Sequence, residues 1–395
     1  MSSPSLSAPL TVLLAFACAL ITAGSYFAQP LGGVIGLSIG LPAWACGLPV
    51  TLSQIGYCLG LLLVAPLGDR LENRRLLMVT LAVAAVALIG AGLAASATAF
   101  LLACLCIGGA AISVQSIVVL AASMVSADRR GVTVGRVTAG LLLGILLAWP
   151  VASMVNQAVG WRTLFIADGL LIGLLALTLR AVLAPRQPAA GVSYPALIAS
   201  LWPLWRAHSE LRWRALCQAL LFAVFSLFWV TAPHVLQTRH GLSGTALAAF
   251  GLVGVGGALA APLAGWLADR GAARQTALTG SLLVAASCLG WALLDSLEML
   301  RVCAFCISAG VQACHVISQR RVMTLDSRAA NRLNSLYIAT FFIGGAVGSA
   351  SASPLFFSGE YLPGVAGTGA ALLAWGGLVR LELRATRVTS ALGDR

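Results

Sequence analysis

Charge is what this sequence has least of. Acidic and basic residues together make up 9% of 395 positions, against 59% hydrophobic, far from the balance of a soluble globular domain. Lysine is absent altogether, so the 24 basic residues are all arginine. Groups for covalent or acid–base chemistry are sparse too. The four histidines (His208, His234, His240 and His315) are scattered, and no nucleophile motif accompanies them. A membrane enzyme needs a convergent catalytic set, so the sequence reads as no enzyme. Cys104-x-Cys106 and Cys303-x-x-Cys306 have the spacing of metal or redox pairs, but no second ligand cluster goes with either. They read as small packing residues, and no metal or cofactor is expected. No basic stretch precedes Thr11–Ala28, so that run reads as an uncleaved first crossing rather than a signal peptide.

In place of charge the chain has apolar length. Runs of about 20 residues, the thickness of a bilayer core, recur along nearly all of it. Twelve crossings are predicted: 9–30, 43–67, 76–95, 100–125, one from the loop after Ser126 to Pro150 and beyond, one from Trp161 to about Leu183, then 215–237, 245–268, one ending near Asp295, 300–319, one starting near Arg332, and 364–381. Residues 185–214 form the longest polar stretch, with four prolines and an amphipathic piece at Tyr194–Arg206. The predicted architecture is an all-α membrane protein. It comprises a six-helix bundle over 1–184, a linker over 185–214 and a second six-helix bundle with a short tail over 215–395.

The net charge of +12 would draw a soluble protein to nucleic acid. Here the arginines cluster between alternate apolar runs, and only Arg162, Arg239 and Arg301 fall on the other side. By the positive-inside rule both termini are then cytoplasmic. The partner is the lipid bilayer, with no nucleic acid.

Two loops repeat. Ala65 to Arg75 reads APLGDRLENRR, and Gly265 to Arg274 reads GWLADRGAAR. Each follows the second crossing of its half. Small residues stand four apart at Gly56 and Gly60, Gly140 and Gly144, Gly257 through Ala261 to Gly265, and Gly344 and Gly348. This spacing lets helix backbones approach closely in lipid, and the expectation is contact across the two halves.

Duplicated six-helix halves, a central linker and an Asp-Arg loop after the second helix of each half resemble the major facilitator superfamily. Its loop pattern is roughly G-x-x-x-D-R-x-G-R-R. The first copy has Ala65 for the leading glycine and Glu72-Asn73 in the trailing part, but keeps Asp69, Arg70, Arg74 and Arg75. The second keeps Gly265, Asp269, Arg270 and Arg274. Stretches such as YFAQPLGGVIG and RLNSLYIATFFIGGAVGSA are similar to a bacterial subgroup of efflux permeases.

The resemblance implies transport by alternating access around a midplane site. It also implies a cytoplasmic latch, with Asp69 meeting the start of crossing eleven near Arg332, and Asp269 meeting the start of crossing five near Arg136. Carboxylates are favoured at helix N-termini. The family's cavity-lining helices, one, four, seven and ten, carry Tyr26 and Gln29, Ser113 and Gln115, Gln218, Phe222, Phe225, Trp229 and His234, and Gln312 and His315. Polar groups inside a span are default site candidates.

Asp168 and His315 are the proton-coupling candidates, driven by the proton gradient. No acid stands in crossing one, where drug/proton antiporters of the superfamily often carry one. With no arginine expected in the cavity, aromatics and glutamines suit a neutral or amphipathic small molecule. The expectation is a monomeric antiporter in the bacterial inner membrane. An uptake permease or a non-transporting sensor of the same fold is the alternative.

Overall fold

The computed structural model describes residues 7–126, 129–185, 193–326 and 329–393, apart from the side chains of Asp69, Arg130 and 384–393. The Asp69 carboxylate, one half of the expected latch, therefore lies outside the described residues.

Among the described residues twelve helices are long and apolar enough to cross a membrane. They are α1 (Ala8–Tyr26), α2 (Ala43–Gly68), α3 (Asn73–Leu93), α4 (Ala97–Ser123), α5 (Gly131–Val159), α6 (Trp161–Val182), α7 (Ser209–Thr238), α8 (Gly244–Asp269), α9 (Ala273–Leu293), α10 (Leu297–Met323), α11 (Ala330–Ser358) and α12 (Leu362–Leu383). No strand is present among the described residues. In lipid each backbone N–H and C=O must be satisfied within the protein, and an uninterrupted helix does this locally.

The helix ends follow local chemistry. Ser7, Ser96 and Ser296 cap α1, α4 and α10, their hydroxyls accepting from Leu10, Ala99 and Met299 backbone N–H at 3.4, 3.3 and 3.1 Å, the usual role of serine at an N-cap. The two Asp-Arg loops differ in their turns. The second ends in Gly271 at φ +81°, a left-handed conformation that suits glycine. The first has Leu71 at that position. It instead leaves α2 through a π turn at Gly60–Val64 and a 3₁₀ turn at Ala65–Asp69, where Pro66 has no N–H to continue the α-helical ladder.

Several boundaries depart from the sequence-based expectation. The first crossing ends at Tyr26, and a separate helix, Ala28–Ile39, follows, where an uncharged loop was expected beyond Pro30. Helix α7 begins at Ser209, so Arg212 and Arg214 sit in a helix and not in a polar linker. Two short helices, Tyr194–Ala199 and Leu201–Ala207, precede it.

The chain divides into two compact units. One runs up to Ile198 and includes Leu242–Leu252; the other comprises Ala199–Gly241 and the chain from Val253 onward. In the first unit α1 packs along α5, α2 along α4 and α3 along α6; in the second α7 packs along α11, α8 along α10, and α9 between α10 and α12.

Glycine sets these contacts. A Cβ on Gly140 or Gly144 would lie 2.0 or 2.4 Å from the carbonyl oxygen of Ala15 or Ala19 on α1. The counterparts Gly344 and Gly348 face Ala219 and Ala223 on α7 at 2.1 and 2.0 Å. Gly56 and Gly60 meet Leu105 and Gly109 on α4 at 2.0 and 2.6 Å.

The expectation of contact across halves holds in part: the glycines of α2, α5 and α11 meet helices of their own half, whereas the first part of α8 packs on α5 within the first unit, with Gly251 against Trp149. On α8 tight positions are Gly251, 2.4 Å from the Trp149 Cβ, and Gly256, 2.5 Å from the Phe305 carbonyl, whereas Gly257 comes no closer than 3.3 Å and Gly265 no closer than 3.9 Å. On α8 the four-residue step Gly257–Ala261–Gly265 therefore does not mark the closest approach, since Gly251 and Gly256 lie off it.

Gly140→Ala and Gly344→Ala should each lower stability by about 1–3 kcal/mol through overpacking. Gly265→Ala should leave it unchanged, as thermal unfolding of the purified protein in detergent would read. Equal melting for all three variants would remove the packing role.

Candidate functional site

Each unit gathers polar and aromatic side chains inside its spans. In the first, Tyr26 at the end of α1 lies close to Tyr57 on α2, and Gln115 on α4 donates through Nε2 to the Tyr57 hydroxyl at 3.4 Å. All three are half-buried. Gln29, one turn beyond Tyr26, is 5% exposed and its Nε2 has no hydrogen-bond partner. Ser113 is not part of this group, since it is fully buried and its hydroxyl donates to the Ala110 carbonyl at 2.8 Å.

In the second unit a run of rings joins α7, α10 and α11. The Phe225 ring stacks on Phe222, and Phe222 stacks on Phe341 with centroids 3.9 Å apart. Phe341 stacks on His315, and His315 on Tyr337. Trp229 continues the run beside Phe225 and donates its indole N–H to the Ser308 hydroxyl at 3.3 Å. Gln312 is half-buried one turn before His315. His234 stands apart, two turns beyond Phe228, among Phe356 and Phe357.

The His315 Nδ1 lies 3.2 Å from the hydroxyl of Tyr337, which is fully buried. Gln218 is 1% exposed, and its Nε2 donates to the Val311 carbonyl at 3.2 Å. Tyr57, Tyr337 and Phe341 lie on α2 and α11, outside a reading limited to helices one, four, seven and ten, while Ser308 lies on α10 itself and carries no signal in the sequence beyond that of any small polar residue.

Asp168 on α6 is 4% exposed, and its Oδ2 has no hydrogen-bond partner. That oxygen occupies the space beside Gly24 on α1, where a Cβ would lie 2.4 Å from it. Arg162 does not pair with it. Its guanidinium donates instead to the Gly92 and Ala94 carbonyls, at 3.1 and 2.7 Å, closing the C-terminal end of α3, and stacks on Trp161. A carboxyl group on α6 is thus presented to α1, a helix with no acid of its own.

The loop residues have nearer partners than those expected. Asp269 pairs with Arg320 at the end of α10 at 2.5 Å, and Arg320 also donates to the Gly265 carbonyl. Arg270 lies over the Trp266 ring at 3.5 Å. Arg74 donates to the Leu183 carbonyl at the end of α6, and Arg332 to the Ser200 hydroxyl. Arg70, Arg75, Arg136 and Arg274 are exposed.

One arginine corrects the sequence reading more sharply. Arg214, counted with the cytoplasmic loops, is 1% exposed within α7. Its Nε donates to Glu210 at 2.8 Å and its Nη2 to Glu382 on α12 at 2.9 Å. A guanidinium cannot lose its charge in a protein, so at this depth it has to be met by carboxylates. Among the described residues no three His, Cys, Asp or Glu side chains come together as metal ligands. Cys303 lies against α9, its thiol on the Ser287 carbonyl.

A dozen membrane-length helices in two pseudo-symmetric six-helix bundles, with uncharged polar and aromatic sets inside both, define a multi-pass transporter fold. The sequence profile of the Major Facilitator Superfamily matches residues 11–349, and the chain belongs to that family. It is 35% identical over 346 residues to the Escherichia coli O157:H7 protein described as "Uncharacterized transporter YgaY", covering 87% of this chain and 88% of that one. It is 33% identical over 354 residues to "Probable transporter SCO4007" of Streptomyces coelicolor, covering 87% and 80%.

Among solved structures it is similar in fold to a bacterial homologue of the human lysosomal transporter Spinster in an inward-facing, occupied conformation. The TM-score is 0.69 at 16% identity, covering 96% of this chain and 95% of the other. It is also similar in fold to the nucleoside transporter NupG, with TM-score 0.71 at 12% identity, covering 94% and 99%.

Arg214→Leu leaves Glu210 and Glu382 without their buried counter-ion and should destabilise the protein by about 3–5 kcal/mol. Adding Glu382→Gln to the same chain should recover part of that loss. Thermal unfolding of the single and double variants checks it, and a single variant as stable as the parent would refute it.

Proposed function

We propose that the protein is a secondary active transporter that exports a neutral or amphipathic small molecule in exchange for protons. The observation that carries this reading is the character of the intramembrane side chains. Tyr26, Gln29, Tyr57 and Gln115 in one unit, and Phe222, Phe225, Trp229, Gln312 and His315 in the other, carry no arginine or carboxylate among them. Stacking and a few hydrogen bonds hold an uncharged or amphipathic ligand, and a cation can also rest on aromatic faces. A phosphorylated or strongly anionic substrate would call for guanidinium clamps. Among the described residues the one deeply buried arginine, Arg214, is already taken up by two carboxylates.

Proton coupling draws on Asp168 and His315. Asp168 is an acid inside a span with an unpartnered oxygen, and such groups in membrane segments are associated with proton relays. Histidine titrates in the physiological range when unperturbed. The arginine distribution supports placing both termini in the cytoplasm, and the bacterial relatives support the cytoplasmic membrane. No bound cofactor is required, since the proton gradient supplies the energy, and a monomer suffices. The Asp-Arg loops act as the latch that alternating access opens and closes. Asp69 is the member assigned to the start of α11, near Arg332, and Asp269 to the start of α5, near Arg136.

A growth and accumulation screen across compound classes, with overexpressing and deleted strains, should yield a substrate that overexpressing cells accumulate less. Collapsing the proton gradient should then make them retain it; loss on collapse would mean uptake instead.

Asp168→Asn keeps the shape of the side chain. It should abolish gradient-driven transport of the compound found while leaving exchange without a gradient near the parent rate. Parent-level driven transport would exclude Asp168 from coupling.

Asp69→Asn should cut transport sharply at unchanged membrane insertion. Full transport by the inserted variant would remove the latch role.

A further inference from the structure

The second unit contains buried polar groups on α7, next to the end of the aromatic run, that neither the loop motif nor that run explains. They lie in a layer toward the end of the unit that carries Asp269 and Arg270. Arg214 and Gln218 are four residues apart on α7, on one face of the helix, and each is 1% exposed. Each is also incompletely bonded. Arg214 Nη1, a donor, and Gln218 Oε1, an acceptor, both lack a hydrogen-bond partner.

The fully buried Tyr337 hydroxyl bonds the Ser318 side chain and lies within electrostatic reach of Arg214, Cys217 and Cys314. Tyr337 also meets His315 at Nδ1. From Arg214 the layer continues to Glu210 and Glu382, of which 30% and 14% of the side chain is exposed.

Unfilled hydrogen bonds on deeply buried groups are costly, more so within a bilayer. Buried waters typically satisfy such groups, each making two to four hydrogen bonds. A donor and an acceptor left open one turn apart on one helix offer a water that set.

We propose that this layer holds ordered water between Arg214 and Gln218, and that the water and Tyr337 connect His315 to Glu210 and Glu382 as the passage of the coupling proton. The inference rests on the proton-coupled reading above. A protonated His315 releases a proton from Nδ1 to the Tyr337 oxygen while the tyrosine's own hydroxyl proton moves to the water. A carboxylate of Glu210 or Glu382 then takes it up.

Charged and titratable groups lie on each helix at this end of the unit. Helix α7 brings Glu210, Arg214 and Cys217; α10 brings Cys314, Arg320 and Arg321; α11 brings Arg332 and Tyr337; and α12 brings Arg380 and Glu382. From α8 come Asp269 and Arg270, and from α9 comes Arg274, all at the same end. The Arg214 guanidinium is bonded to both glutamates, so its charge is opposed within the layer. Arg321 approaches Glu210 only at 3.7 Å, from an exposed position.

Radiolytic hydroxyl labelling, in which radicals form from water beside a side chain, tests the passage in the full-length protein reconstituted in nanodiscs. Tyr337 and Cys314 are as inaccessible as Phe228 and Cys288 of the same unit, all at 0% exposure. If the layer is hydrated, Tyr337 should be modified at least about tenfold faster than Phe228, and Cys314 than Cys288, because a local water is the radical source. Reference rates at both residues in the parent protein would overturn the proposal, and that comparison needs no variant.

Gln218→Leu removes the open acceptor. It should return both residues to reference rates and slow hydrogen–deuterium exchange at the His315 ring carbon relative to His234 and His240. Unchanged His315 exchange would overturn the route. These readouts do not depend on transport, so a failure here is distinguishable from a failure of proton-coupled export.

Discussion

The rest of the structure depends on backbone meeting backbone at glycine. Helices in lipid gain little from hiding apolar side chains from one another, since the surrounding tails are equally apolar. What holds them is dense van der Waals contact, and that requires close approach. Gly140 and Gly144 bring α5 onto the carbonyls of Ala15 and Ala19, and Gly344 and Gly348 bring α11 onto Ala219 and Ala223. The same pairing recurs in each unit, so the duplication is visible as a repeated contact as well as a repeated motif. It ties α1 to α5 in the first unit and α7 to α11 in the second.

Tight packing of this kind leaves few places for polar groups, and that gives those present their weight. Asp168 fits beside α1 because residue 24 is a glycine. Arg214 is retained because Glu210 and Glu382 converge on it from two helices. The Tyr57–Gln115 and Tyr337–His315 pairs each join one helix of the expected cavity set to a neighbour outside it. In both units a tyrosine from the helix read as packing supplies the hydroxyl. A packing helix that also carries a tyrosine toward the cavity helix couples the shape of the bundle to its polar interior.

The loops show how a motif and its contacts separate. Both copies keep Asp-Arg, yet one ends a 3₁₀ turn after Pro66 and the other ends an α-helix before Gly271. Asp269 is held within its own unit by Arg320, an exposed pair of modest strength. A weak, solvent-facing pair of this kind is compatible with a contact that breaks and re-forms in each cycle.

The sequence by itself determined the membrane setting, the number of crossings, the duplication and the faces on which glycine would fall. Each of these follows from composition and periodicity along a single helix, and a helix in lipid satisfies its own backbone whatever its neighbours are. Only the tertiary structure decided which glycines touch, that their partners lie within the same unit, and that Arg214 is buried while Arg136 is not. It also decided that Asp168 faces α1 and that Tyr57 and Tyr337 complete the polar sets. The reason is that a four-residue step records which face of a helix is small, not which helix lies against it. Burial of a charge depends on whether carboxylates distant in the chain, such as Glu382 from Arg214, arrive at the same place.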